Sequence, residues 1–97
     1  RLLLVEDDAM LGKAILSGLK RQDYSVDWMS EGGSALHCLR DEAYDLVILD
    51  LGLPDMDGAE VLHTMREEGM QTPVIILTAR DSIADRVGGL DSGLMII

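Results

Sequence analysis

The sequence is poor in cysteine, in basic residues and in long apolar runs, and each shortage excludes something. One cysteine, Cys38, stands among 97 residues. That excludes a disulfide framework and fits a reducing compartment. In "SALHCL" it lies beside Leu36 and Leu39 on an expected helix, and reads as a small core residue rather than a nucleophile. No apolar run approaches the roughly 20 residues needed to cross a bilayer, and the amino end does not read as a signal peptide. The chain opens at "RLLLVEDD" without a methionine, so its true start is expected upstream. Basic residues number 8 against 18 Asp and Glu, a formal net charge of -10. A surface of that sign repels nucleic-acid phosphates and anionic membrane, so neither is expected as a direct contact. It suits a partner with a basic face, or a cation.

Hydrophobic residues make up 47% of the chain, enough for one packed domain spanning 1–97. Three short, continuous apolar runs stand out: "LLLV" at Leu2–Val5, "LVIL" at Leu46–Leu49 and "VIIL" at Val74–Leu77. Strands buried on both faces of a parallel sheet read this way. "YSVDWM", Tyr24–Met29, alternates more and suggests a strand nearer an edge, with Trp28 as a packing residue. Between the runs lie helical patterns. Leu11, Ile15 and Leu19 mark the first, and Ser34 to Arg40 the second. Val61, Leu62 and Met65 mark the third, and Ile83, Val87 and Leu90 the fourth, capped by Asp81 or Ser82. Glu31-Gly-Gly and Gly69 read as turns, and the six methionines as core filler. The order β-α-β-α-β-α-β-α, followed by "LMII", implies helices on both faces of a parallel sheet.

In such sheets function gathers beyond the carboxyl ends of the strands, and acids stand there. Glu6, Asp7 and Asp8 follow the first run, and Asp50 follows the second. If those strands are neighbours, their acids converge, which costs free energy unless a proton or cation relieves it. With no His or Cys in the pattern, oxygen ligands point to a hard cation, best Mg²⁺. Asp8 alone could simply cap the following helix. Thr78, at the end of "VIILT", could bond something at Asp50 or cap the helix near Asp81. Pro54 and Gly58 shape the loop after Asp50, where Gly58 permits a tight approach or starts a helix. Gly52 leaves room over the site, and its carbonyl could face a cation. This is a layout in which an aspartate takes a phosphoryl group.

The stretches "LLLVEDD", "DLVILDLGLPDMDG", "TPVIILTARD" and "DRVGGLDSG" together resemble the receiver domain of bacterial two-component response regulators. The likeness runs from about Leu2 to Gly93 and is closest to the subgroup whose receiver precedes a winged-helix DNA-binding domain. It implies a flavodoxin-like α/β fold with strand order 2-1-3-4-5. It implies Asp50 as phosphoacceptor from a sensor histidine kinase, and Glu6 and Asp7 as the acidic pair holding Mg²⁺ with Asp50. It further implies the Gly52 backbone carbonyl as a metal ligand, Thr78 as the switch hydroxyl, and Ala79 as the small neighbour giving access. A cytoplasmic signalling domain that catalyses only its own phosphotransfer and slow dephosphorylation follows, switching a transcriptional output and, when complete, pairing as a homodimer; without the last helix the uncovered sheet flank invites altered or swapped association. One departure stands out. After "GLDSG" the family pattern continues through a fifth strand to a Lys-Pro pair and a last helix, whereas here "LMII" follows. The fifth strand is therefore doubtful, and the phosphate-contacting lysine, the aromatic partner of Thr78 and the last helix are missing from the sequence. The expectation is a receiver lacking its C-terminal end, which binds Mg²⁺ yet phosphorylates or signals poorly.

Rival readings are an interaction domain that never takes phosphate, a phosphatase, and a nucleotide- or flavin-binding module. Gly52 stands where an aspartyl phosphatase needs a second acid, and "EDDAML" is acidic rather than glycine-rich. His37 and His63 read as surface residues of helices, not as phosphohistidine carriers.

Overall fold

The computed structural model describes residues 1–77 and the strand at Leu94–Ile96. Along the chain run β1 (Leu2–Val5), α1 (Ala9–Arg21), β2 (Val26–Met29), α2 (Gly32–Asp41), β3 (Leu46–Asp50), α3 (Gly58–Glu67), β4 (Val74–Leu77) and β5 (Leu94–Ile96). The expected fourth helix, with Asp81 or Ser82 as cap, lies outside the described residues, as do Thr78 and Ala79.

All strand pairs are parallel, and the sheet has the order β2-β1-β3-β4-β5. The doubtful fifth strand is present, three residues long, with Val74 beside Leu94 and Ile76 beside Ile96. β2 is an edge strand, half-buried along its length, as its mixed pattern suggested.

The continuous apolar runs serve both faces because successive strand residues point opposite ways. Leu3, Val5, Val47, Leu49, Val74 and Ile76 meet α2 and α3 in one core. Leu2, Leu4 and Ile48 are buried on the other face. That face carries α1, since Trp28 is the register partner of Leu4 and lies against Gly12. Burying each such Leu, Ile or Val side chain contributes about 1.5–3 kcal/mol against conformational entropy.

The helices begin where carboxylates accept their free N–H groups. Asp8 caps α1, accepting from Met10 and Leu11 N–H at 2.9 and 3.1 Å. Asp57 caps α3 through the Ala59 N–H at 3.0 Å. Both placements satisfy orphan donors of a first helical turn. α2 is different: its own cap, Glu31, makes no side-chain bond. Asp55, from the loop after β3, accepts from Gly32 N–H at 2.8 Å and Gly33 N–H at 2.9 Å. The two glycines read as a turn are thus the first turn of α2, which starts two residues before the expected Ser34. Gly32 must be glycine because a Cβ there would come within 2.6 Å of Met56 Cγ and 2.8 Å of Val61 Cγ2. At the other ends of α2 and α3, Arg40 forks onto Glu68 with bonds of 2.9 and 2.7 Å. Gly69 turns the chain out of α3 at φ 84°, a left-handed conformation that favours glycine.

Candidate functional site

The parallel register carries the acids together. β1 and β3 pair directly, with Val5 opposite Leu49, so the next residues, Glu6 and Asp50, emerge side by side. Carboxylate oxygens of Glu6, Asp7 and Asp50 all lie within 4.8 Å of one another. Their surroundings differ. Glu6 is 2% exposed, Asp50 is half-buried and Asp7 is open to solvent. The Glu6 carboxylate accepts from the Asp8 N–H at 3.2 Å. Asp8 itself stands outside the trio, occupied as the α1 cap.

Burial pushes the Glu6 carboxyl up to about 7. The Asp8 N–H opposes this, while the charge of Asp50 and hydrogen bonding to Asp7 and Asp50 add to it. The cause is ordinary: a carboxylate removed from water beside other carboxylates prefers to hold a proton. Among the described residues no ion pair reaches Glu6, Asp7 or Asp50. The pocket therefore offers crowded oxygen donors that no cationic side chain among the described residues pairs with. That donor set fits a hard divalent cation with several water ligands, the preference of Mg²⁺.

The loop after β3 folds tightly back on the site. The Gly58 N–H donates to the Leu51 carbonyl at 3.0 Å, and a Cβ at Gly58 would stand 2.7 Å from Leu51 Cα and overlap the Asp50 carbonyl. Gly58 thus both permits the approach and starts α3. Gly52 lies within this loop and is half-buried. Leu77 is the register partner of Asp50 and precedes Thr78 in sequence.

Two contacts of the site went unseen in the sequence. The Trp28 indole Nε1–H donates to the Glu6 backbone carbonyl at 2.8 Å, so Trp28 does more than pack. Asp55 ties the loop that follows Asp50 to α2. Neither leaves a periodic signal, because each joins residues more than twenty positions apart. One expectation fails outright: Met10 is no core filler but 84% exposed, while Met65 is buried and Met29, Met56 and Met70 pack at the core's margin. Cys38 is partly buried against the core, and His37 and His63 are exposed, as expected.

A parallel α/β sheet with three carboxylates at the ends of adjacent central strands defines a class. The chain matches the response regulator receiver domain family over residues 2–97, and it belongs to that family. Among curated proteins it is 47% identical to the response regulator protein PmrA of Pseudomonas aeruginosa and 48% identical to the transcriptional regulatory protein QseB of Escherichia coli O157:H7. Each match covers 96% of this chain and 42% of the relative, so the chain spans about two fifths of their length. Among solved structures it resembles the response regulator TrrA of Thermotoga maritima in complex with Mg(2+)-BeF, with TM-score 0.87 and 28% identity over 100% of this chain and 85% of that one. The non-phosphorylated HemR receiver domain of Leptospira biflexa is similar at TM-score 0.86 and 35% identity, covering 99% of this chain and 79% of that one. The chain is thus a signalling domain whose curated relatives include transcriptional regulators. Among the described residues no helix is long and apolar enough to cross a membrane.

Proposed function

We propose that this chain is a phosphorylation-dependent receiver in which Asp50 accepts a phosphoryl group. One observation carries the reading: the oxygens of Glu6, Asp7 and Asp50 gather within 4.8 Å at the ends of neighbouring strands. An Asp50 carboxylate oxygen attacks the phosphorus of a phosphohistidine on a sensor histidine kinase. The new O–P bond forms as the P–N bond breaks, and the imidazole leaves with the bonding pair. Half-buried Asp50 keeps a face open for that approach. Glu6, Asp7, Asp50 and the Gly52 carbonyl would hold Mg²⁺. When bound, that ion neutralises charge developing on the phosphoryl oxygens. Thr78 would donate its hydroxyl to a phosphoryl oxygen and Ala79 would leave access, roles drawn from the family alone.

The domain acts in the cytoplasm, with the kinase and a second receiver copy as partners. It touches neither nucleic acid nor membrane directly. Its output is transcriptional and passes through further sequence of the kind carried by the longer relatives.

Intact mass after incubation with acetyl phosphate, with and without Mg²⁺, tests the reading. The expected result is a Mg²⁺-dependent gain of one phosphoryl group that Asp50→Asn abolishes. Mg²⁺ binding without any gain would favour an interaction domain that takes no phosphate.

A further inference from the structure

The Glu6 peptide is gripped twice by the edge strand. Its N–H donates to the Met29 carbonyl at 3.0 Å, extending the β1–β2 ladder by one bond. Its carbonyl then lies beyond the ladder, because β2 ends at Met29. The Trp28 indole N–H supplies, at 2.8 Å, the donor that a longer β2 would have supplied. This carbonyl belongs to the peptide group that leads into Asp7, so its direction sets where both the Glu6 and Asp7 side chains depart.

The first helix is shaped to admit the ring. Gly12 is buried inside α1, and a Cβ there would stand 2.6 Å from Trp28 Cε2 and overlap the neighbouring ring carbons. Glycine in a helix interior costs about 1 kcal/mol relative to alanine. Any larger residue would push the indole off the Glu6 carbonyl. A half-buried indole N–H needs a partner, and here that partner is the main chain of the most buried acid in the pocket.

We propose that Trp28 is a positioning residue of the acidic pocket, fixing the Glu6–Asp7 peptide so that the two carboxylates and Asp50 meet a divalent cation in register. The proposal rests on the reading of this pocket as a Mg²⁺ site. Groups that orient ligands without touching the metal govern its affinity in this way.

The test is isothermal titration of the metal-free protein with Mg²⁺, beside amide hydrogen exchange at Asp8, whose N–H reports the Glu6 carboxylate. Trp28→Phe keeps a ring but removes the donor. It is expected to weaken Mg²⁺ binding about three- to tenfold and to speed Asp8 exchange. Gly12→Ala displaces the ring from the helix side and is expected to shift both readouts the same way. In the wild type, the indole N–H resonance of this single tryptophan is expected to exchange slowly and to move on Mg²⁺ saturation. Unchanged Mg²⁺ affinity and unchanged Asp8 exchange in Trp28→Phe, with only a lower melting temperature, would reduce Trp28 to packing and overturn the proposal. An indole N–H that exchanges freely in the wild type would overturn it without any variant. A wild type that takes up no Mg²⁺ would remove the reading of the pocket itself, a failure distinct from equal binding by wild type and variant.

Discussion

The two faces of the sheet are built from the same kind of strand yet finished differently. On one face α2 and α3 close over Leu3, Val5, Val47, Leu49, Val74 and Ile76. Two ties lock these helices together, Asp55 at their amino ends and Arg40–Glu68 at their carboxyl ends. On the other face α1 is the one helix among the described residues, and much of its apolar surface is uncovered. Ile15, Leu16 and Leu19 are half-buried, Leu11 is 47% exposed and Met10 84%. The contrast teaches that stability and site geometry draw on different faces. The packed face supplies the core and shapes the loop after Asp50. The open face supplies Gly12 and, on β2, Trp28, which bear on Glu6.

Core truncations should break this contrast most strongly. Leu62→Ala, at a fully buried position of α3, is expected to cost about 2–5 kcal/mol in urea unfolding. A cost under about 1 kcal/mol would show the closed face to be no better packed than the open one.

Glu6→Gln should separate stability from site. The Glu6 carboxyl rises from its ordinary 4.5 to about 7 in the folded chain. Its folded-state proton is therefore a source of stability below about pH 4.5 that is lost as pH rises through about 7. Glutamine mimics the protonated form. Metal-free Glu6→Gln is expected to be more stable than wild type at pH 8, by about 1–3 kcal/mol, with the gain fading toward pH 4.5. Mg²⁺ affinity should fall at the same time. Thermal melts across pH, without and with Mg²⁺, measure both effects, and a destabilised variant at pH 8 would contradict the buried-acid account.

The Asp55 tie has the opposite sign and a smaller effect. The Gly33 and Gly32 N–H groups hold its carboxyl below the usual carboxylate range. Its contribution is present above about pH 4 and is lost as pH falls through the lowered folded value. The stability difference between wild type and Asp55→Asn should therefore be largest near neutrality and shrink in acid. A pH-independent difference would mean that the cap works without its charge. Smallest of all, Met10→Ala on the open face should change stability by less than about 0.5 kcal/mol.

Much of this was readable in the residues. Continuous apolar runs located β1, β3 and β4, and the repeats of Leu11, Ile15, Leu19 and of Val61, Leu62, Met65 located α1 and α3. Burial then followed periodicity for α3 but not for α1, because what covers a helix is decided by distant chain. Glu6, Asp7 and Asp50 were singled out by their place after buried strands, and register brought them together. The strand order that makes β1 and β3 neighbours came from family resemblance, since no local pattern encodes it. The start of α2 at Gly32 leaves no local signal because its cap, Asp55, lies more than twenty residues away. Trp28 reads as packing because an indole aimed at a main-chain carbonyl looks, in sequence, like any other apolar residue. Thr78 and Ala79 fall outside the described residues.

The solitary tryptophan has a practical consequence. Its ring lies against α1 with its polar edge on the Glu6 carbonyl, one peptide from the pocket. Light at wavelengths that the two tyrosines do not absorb excites this residue alone. Any rearrangement of the Glu6–Asp7 peptide alters the hydrogen bond and the charge beside the excited indole. The chain is therefore its own optical sensor. If the pocket works as proposed, cation entry and phosphoryl transfer should both be followed in real time by emission from Trp28, with no dye attached.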